Sequence, residues 1–194
     1  MESDTQDPEE VEWIRRAQRG DHEAFRLLVD RYQRKVFSLA FHLVRQQDEI
    51  EDLAQEIFLK VFRAIRSYNF QAAFGAWVGR ITVNHCYDYL RRRRSSRLSY
   101  DWQLSDETRR ILETGSHPGE KGTLTIEDQT ALKEIVQKLL NRAPADDRTV
   151  LVLKDIENFS VEEVAAIMRW TPSKVKVRLH RARKRMLADL KRWR

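Results

Sequence analysis

Cysteine is nearly missing from this chain: Cys86 is the only one in 194 residues, so no internal disulfide can form. A reducing cytoplasm is the expected setting. Glycine and proline are also scarce, at 6 and 4, which argues against a turn-rich β protein and for helices. No apolar run approaches the ~20 residues of a membrane span, so membrane insertion is not expected. The opening MESDTQDPEEVEW is acidic and has no apolar stretch of the kind that marks a secretory signal. Its first 12 residues read as a disordered tail. There is no glycine-rich phosphate loop and no serine-nucleophile motif. The five histidines, at 22, 42, 85, 117 and 180, are scattered. Of His85, Cys86 and Asp88, only the first and last approach one helical face. The expectation is a protein that is not an enzyme, with no catalytic residue, no metal and no cofactor.

What the chain has is charge, unevenly placed. Hydrophobic residues make up 41% and charged residues 34%, with a formal net charge of +6. Residues 1–94 are nearly neutral at +1, residues 95–130 carry −3, and residues 131–194 carry +8. The last 26 residues hold 11 basic side chains against one acidic. A basic end on a neutral front half points to a polyanionic partner.

Apolar residues recur at three- and four-residue steps from Val11 to Leu90, as in Phe25, Leu28, Val29, Tyr32, Val36, Leu39 and Leu43. No alternation is long enough for a strand. The pattern stops at SSRLSYDWQLSDETRRILETGSHPGEKGT, which is polar and aperiodic apart from a short helical turn expected near 108–112. It resumes near Thr130. The expected architecture is all-α: a helical domain over 1–94, a flexible linker over 95–130, and a smaller helical domain over 131–194.

The most specific local pattern is FSVEEVAAIMRWTPSKVKVRLHRARKRM, residues 159 to 186. Ser160 and Glu163 form a capping box, so a helix begins at Val161 and buries Val164, Ala165 and Met168. It ends at Arg169–Trp170. Thr171 is the next N-cap and Pro172 the first helical residue, where a missing N–H costs nothing. Two short helices across a three-residue turn make a helix-turn-helix. On the second helix Val175, Leu179, Ala182 and Met186 form the buried stripe. Ser173, Val177, His180 and Lys184 face outward, flanked by Lys174, Lys176 and Arg181. That outer face suits a major groove: long cations for phosphates and guanine edges, Val177 for a thymine methyl.

Two front-half segments raise further questions. In DLAQEIFLKVFRAI, residues 52–65, the stripe Leu53, Ile57, Val61 and Ala64 turns inward. Leu59 and Phe62 lie away from it, with Asp52, Gln55 and Glu56 beside them: either a partner site or a second packing face. RITVNHCYDYLRRRR, residues 80–94, places Arg80, Asn84, Tyr87 and Arg91 on one face, and Phe74, Val78, Ile81 and His85 on another. Its arginine end fits a solvated helix terminus or a nucleic-acid contact.

With GDHEAFRLLVDRY (20–32), DLAQEIFLKVFRAI (52–65), FGAWVGRITVNHCYDYLRRRR (74–94) and the helix-turn-helix (159–186) in this order, the chain resembles the extracytoplasmic-function sigma factors. These are two-domain members of the sigma-70 family of bacterial initiation factors. The resemblance implies docking on core RNA polymerase, at the β′ clamp helices and the β subunit, through Asp52, Gln55, Glu56, Phe58 and Leu59, with Phe58 as support. It implies that Tyr68, Phe74, Arg80, Asn84, Tyr87, Arg91 and Arg92 act at the −10 promoter element. There Asn84 receives a base flipped from the non-template strand, Tyr68 and Phe74 lie around it, and the arginines anchor phosphates. An amide, a ring and cations are the kit that single-stranded DNA needs. At the −35 element it implies Lys154, Lys174, Lys176, Val177, His180, Arg181 and Lys184. Promoter DNA and an anti-sigma factor are the other implied partners.

The sequence departs from the family pattern in three places. The loop before the 74–94 helix commonly carries Arg-Gly and then an acid, but here it reads Tyr68-Asn69-Phe70-Gln71. Ala76 replaces a polar residue, and Arg169 stands at a turn position where glycine is usual. Trp77 is expected in the core. The competing reading is a free-standing helix-turn-helix regulator. A sensor domain would be expected with it, and the front half shows no βα alternation. A pure interaction protein would have no use for the basic recognition face.

Overall fold

The computed structural model describes residues 7–44, 49–93 and 126–192. Among these every regular element is helical. Helix α1, Pro8–Gln18, starts earlier than expected. Asp7 caps it by accepting from Glu9 N at 3.1 Å, and Pro8 takes the first turn. The supposed acidic tail is therefore partly helix, because Asp-Pro signals a helix start before the apolar period begins at Val11. This is the same pattern that was legible at Thr171-Pro172.

A tight turn at Gly20 (φ +98°) leads to α2, His22–Leu43, capped by Asp21. Next come α3, Ile50–Ala64, a 3₁₀ turn at Ile65–Ser67, and α4, Phe74–Arg93. On α3, Leu53, Ile57 and Val61 are buried as expected, joined by Ala54. Helix α4 is enclosed on more than one side, burying Phe74, Val78, Thr82, Val83, His85 and Cys86. Burial pushes the Cys86 thiol up to about 12, so it stays protonated and unreactive.

The second unit begins with α5, Ile126–Arg142, five residues before the expected boundary at 131. The turn expected near 108–112 lies outside the described residues. Pro144 precedes α6, Ala145–Leu151, which runs into a wide turn at Val152–Ile156. Helix α7, Val161–Met168, carries the expected capping box between Ser160 and Glu163, a feature typically contributing about 1 kcal/mol. Arg169 then adopts φ +54°, and α8 spans Pro172–Lys191 with Thr171 as its cap. Ile167 is buried on α7 where Met168 was expected, and Met168 is only half-buried. The helix is covered by α4 as well as by α8, and Ile167 faces α4.

The two units are not separate beads. Their buried side chains form one continuous cluster. Gly79 lets α4 come close to the second unit: a Cβ there would lie 3.2 Å from Phe159 Cζ and 3.3 Å from Ile167 Cδ1. Lys35 Nζ sits 4.2 Å over the Phe159 ring. Arg148 donates to Leu43 O at 3.0 Å, and Ser38 donates to Glu157. His42 Nδ1 and Gln137 Oε1 are 2.8 Å apart, with the Gln137 amide also donating to Phe41 O at 3.3 Å.

Candidate nucleic-acid interfaces and docking groove

The loop before α4 is built on aromatic rings. Tyr68 packs against Phe70, Phe74 and Trp77 with centroids 4.8, 5.1 and 5.3 Å apart. Its hydroxyl donates to Ala72 O at 2.6 Å and closes the loop. Phe70, at the family's glycine position, sits at φ +60°. A bulky side chain in that region costs roughly 1–2 kcal/mol, so neighbouring contacts must hold it there. Tyr68 and Phe74 are buried. Expected around the −10 base, both rings carry the loop from beneath.

Along α4, Arg80, Asn84, Arg91 and Arg92 are exposed, and Trp77 is half-buried. Arg91 is paired with Asp88 at 2.7 Å, and Arg93 with Glu49 at 2.8 Å. Tyr87 is different. Its hydroxyl lies 2.8 Å from Thr149 Oγ1 on α6. Thr149 spends its own proton on Ala145 O at 2.9 Å, so Tyr87 is the donor. Burial raises the Tyr87 pKa. In this arrangement the ring belongs to the junction between the units.

The docking residues divide. Gln55, Phe58 and Leu59 join His22, Phe25 and Phe62 around a groove of about 620 Å³ between α2 and α3. Leu59 is 54% exposed, and Phe58 is half-buried at the floor. The α2 contribution was not legible in the sequence, because Phe25 and Val29 fit the same apolar stripe as true core residues. Asp52 and Glu56 are exposed and lie outside the lining of that groove. Glu56 receives His85 Nε2 at 2.9 Å. His85 is buried, and desolvation, reinforced by Lys60, holds its pKa below the usual value against the opposing pull of Glu56.

The helix-turn-helix matches its expected form. Val175, Leu179 and Ala182 are buried and Met186 is half-buried. Lys174, Lys176, Val177, His180, Arg181 and Lys184 are all exposed on α8, Val177 at 51%, while Lys154 is half-buried in the wide turn. Helix α8 is fixed to α6 through Asp147, only 2% exposed, which pairs with both Arg178 and Arg185. Lys174 lies 4.2 Å over the Trp170 ring.

A helical front unit with an exposed amide-and-arginine face, joined to a helix-turn-helix with a basic outer face, defines a two-part DNA-reading protein. Residues 28–96 match the family Sigma-70 region 2, and residues 133–186 match Sigma-70, region 4. The chain is 34% identical over 176 residues to the RNA polymerase sigma-H factor of Pseudomonas aeruginosa, covering 88% of each. It is 36% identical over 174 residues to the ECF RNA polymerase sigma-E factor of Escherichia coli K12, again covering 88% of each. Among solved structures, CnrH in complex with the cytosolic domain of CnrY aligns with TM-score 0.69 over 95% of this chain and 98% of that one; at 23% identity it bears on fold alone. The sigma factor RpoE of Bartonella quintana, in complex with the anti-sigma factor NepR, aligns at TM-score 0.64 with 26% identity, covering 86% and 96%. The chain belongs to the extracytoplasmic-function group of the sigma-70 family, and it is an RNA polymerase sigma factor.

Proposed function

We propose that this sigma factor works through three faces. The groove of Gln55, Phe58 and Leu59, with Asp52 at its margin, receives the β′ clamp helices of core RNA polymerase. Glu56, held by His85 and largely exposed, belongs to the same edge. The loop at 68–72 and the Arg80–Asn84 face of α4 take the opened −10 element, with Arg91 and Arg92 on phosphates. The Lys176, Val177, His180 and Arg181 face of α8 reads −35, with Lys154, Lys174 and Lys184 on the backbone. The domains of action are 1–94 and the second unit from Ile126 onward, joined by 95–125. The protein acts by binding and not as a catalyst, and it works in the cytoplasm; among the described residues no helix is long and apolar enough to cross a membrane.

The observation that carries this reading is that each matched region bears an exposed DNA-type face on its own unit: Asn84 with Arg80 on one, and His180 with Arg181 on the other. Elements named −10 and −35 lie about 25 base pairs apart, ~85 Å along B-DNA at 3.4 Å per pair. Units in contact through Gly79 and Phe159 cannot reach both at once, so promoter binding separates them. The 31 residues of 95–125, before the helix that starts at Ile126, can extend to roughly 105 Å, which covers that separation. Separation also frees Tyr87 for stacking on DNA. An anti-sigma partner would oppose this by covering the polymerase- and DNA-facing surfaces.

Run-off transcription with purified bacterial core polymerase on a pool of genomic promoter fragments tests the proposal. Discrete transcripts that require the protein are the expected result. No transcript, together with no core binding on a sizing column, would refute it.

A further inference from the structure

The loop that carries Phe70 is held from outside the matched region 2. Gln18, at the end of α1, lies before residue 28. Its Nε2 donates to Ile65 O at 3.0 Å and to Tyr68 O at 2.8 Å, so both amide hydrogens are committed to the carbonyls that bracket the 3₁₀ turn. One turn earlier on the same edge of α1, the Arg15 guanidinium sits 5.8 Å from the centroid of the Phe70 ring. Inside the loop, Gln71 N donates to Asn69 Oδ1 at 3.3 Å. What remains exposed at its tip is the pair of amide side chains Asn69 and Gln71.

A glycine at position 70 would take a positive φ freely and need no clamp. A phenylalanine at φ +60° does not choose that conformation and must be kept in it by its neighbours. The two contacts from α1 do this, one on the loop's backbone and one on its ring. With Asn69 Oδ1 engaged inside the loop, the Gln71 amide is the group free to offer a donor and an acceptor to a base edge. Where that amide points depends on φ at Phe70, one residue before it.

We infer that α1 sets the base preference of this sigma factor at the −10 element: Gln18 is a positioning residue that, with Arg15, locks Phe70 so that the loop presents Gln71 to the extruded base. The inference rests on the proposed reading of this loop as a −10 contact.

The test uses the full chain with core polymerase on promoters recovered by run-off transcription, with each −10 base of the non-template strand changed in turn to all four. Gln18→Met keeps side-chain length and removes both donors. It is expected to change the ratio of best to worst base at one −10 position by about fivefold, the scale of two hydrogen bonds of modest net strength. Core binding and −35 preference should stay as in the wild type. With Phe70→Gly also present, Gln18→Met should add nothing to the profile of Phe70→Gly alone, because glycine holds the conformation without a clamp.

Equal loss on all four templates would mean a merely structural role and overturn the inference, as would an undiminished effect of Gln18→Met beside Phe70→Gly. If Gln18→Met fails to fold, Arg15→Met leaves the carbonyls untouched and should alter the same ratio by a smaller factor; no change would again overturn it. A wild-type protein indifferent to every −10 base would refute the loop reading itself. A wild-type preference that Gln18→Met leaves intact would overturn this inference alone.

Discussion

Gly79→Leu separates the stability of the front unit from the contact between units. Glycine inside a helix costs roughly 0.8–1.0 kcal/mol relative to good helix formers, so leucine favours α4 by itself. At the junction the same change is unfavourable. The Cβ alone would stand 3.2 Å from Phe159 Cζ and 3.3 Å from Ile167 Cδ1, and both residues are buried at 2% exposure. Phe159 is also topped by Lys35, so its ring has little room to retreat. Overpacking of this kind costs about 1–3 kcal/mol, which lowers the closed-to-open ratio of the two units by ~5- to 150-fold. Cysteines introduced at Arg63 and Lys184, both exposed, accept a donor and an acceptor dye, and buried Cys86 will not compete. Single-molecule energy transfer should show a shift to the low-efficiency population in Gly79→Leu, with tighter binding to single-stranded −10 DNA as Tyr87 is released. Identical efficiency distributions in wild type and variant would refute the argument that Gly79 governs closure.

Leu59→Asp places a charge in the groove at an exposed position, so core-polymerase affinity should fall more than tenfold (about 1.4 kcal/mol) with an unchanged melting temperature. Wild-type affinity by fluorescence anisotropy would remove that face from the interface. Arg181→Ala should weaken −35 duplex binding by about 1–3 kcal/mol and relax preference at one position; a uniform loss across sequences would make it a phosphate contact. Asp147→Asn strips the shared partner from Arg178 and Arg185. Because those guanidiniums reach water and no charge is left buried, the cost in urea unfolding should be about 1–2 kcal/mol, the scale of lost charge-assisted hydrogen bonds, and an unchanged midpoint would mean the pairs contribute nothing. His85 has a folded pKa below its unfolded one, so its contribution is complete above about pH 6.5 and is lost as pH falls toward the lowered folded value. Replacing it in His85→Gln should flatten the decline of stability between pH 7.5 and 5.5, and parallel slopes would count against it.

Much of this protein was legible before its structure. The capping box at Ser160–Glu163, the Thr171-Pro172 start and the stripe Val175–Leu179–Ala182 are local chemistry, each set by residues within one or two turns of one another. The outward set on α8 followed from the same wheel. Helix α1 was missed at its first turn because apolar period was weighed above the Asp-Pro cap. Ile167 was missed because a wheel assumes a single buried side, whereas α7 has two.

The sequence by itself determined the all-helical class, the caps at Ser160 and Thr171, the exposed basic face of α8 and the family, since all of these depend on short-range periodicity and on motif order. Only the tertiary structure decided which exposed-looking groups are already engaged. Tyr87 is bonded to Thr149, Glu56 to His85, and Gln18 to the loop 47 and 50 residues further on. Such pairings join residues far apart in the chain, and they depend on how closely two surfaces approach. Here that distance is set by a missing side chain at Gly79, whose meaning depends on Phe159 and Ile167 lying opposite.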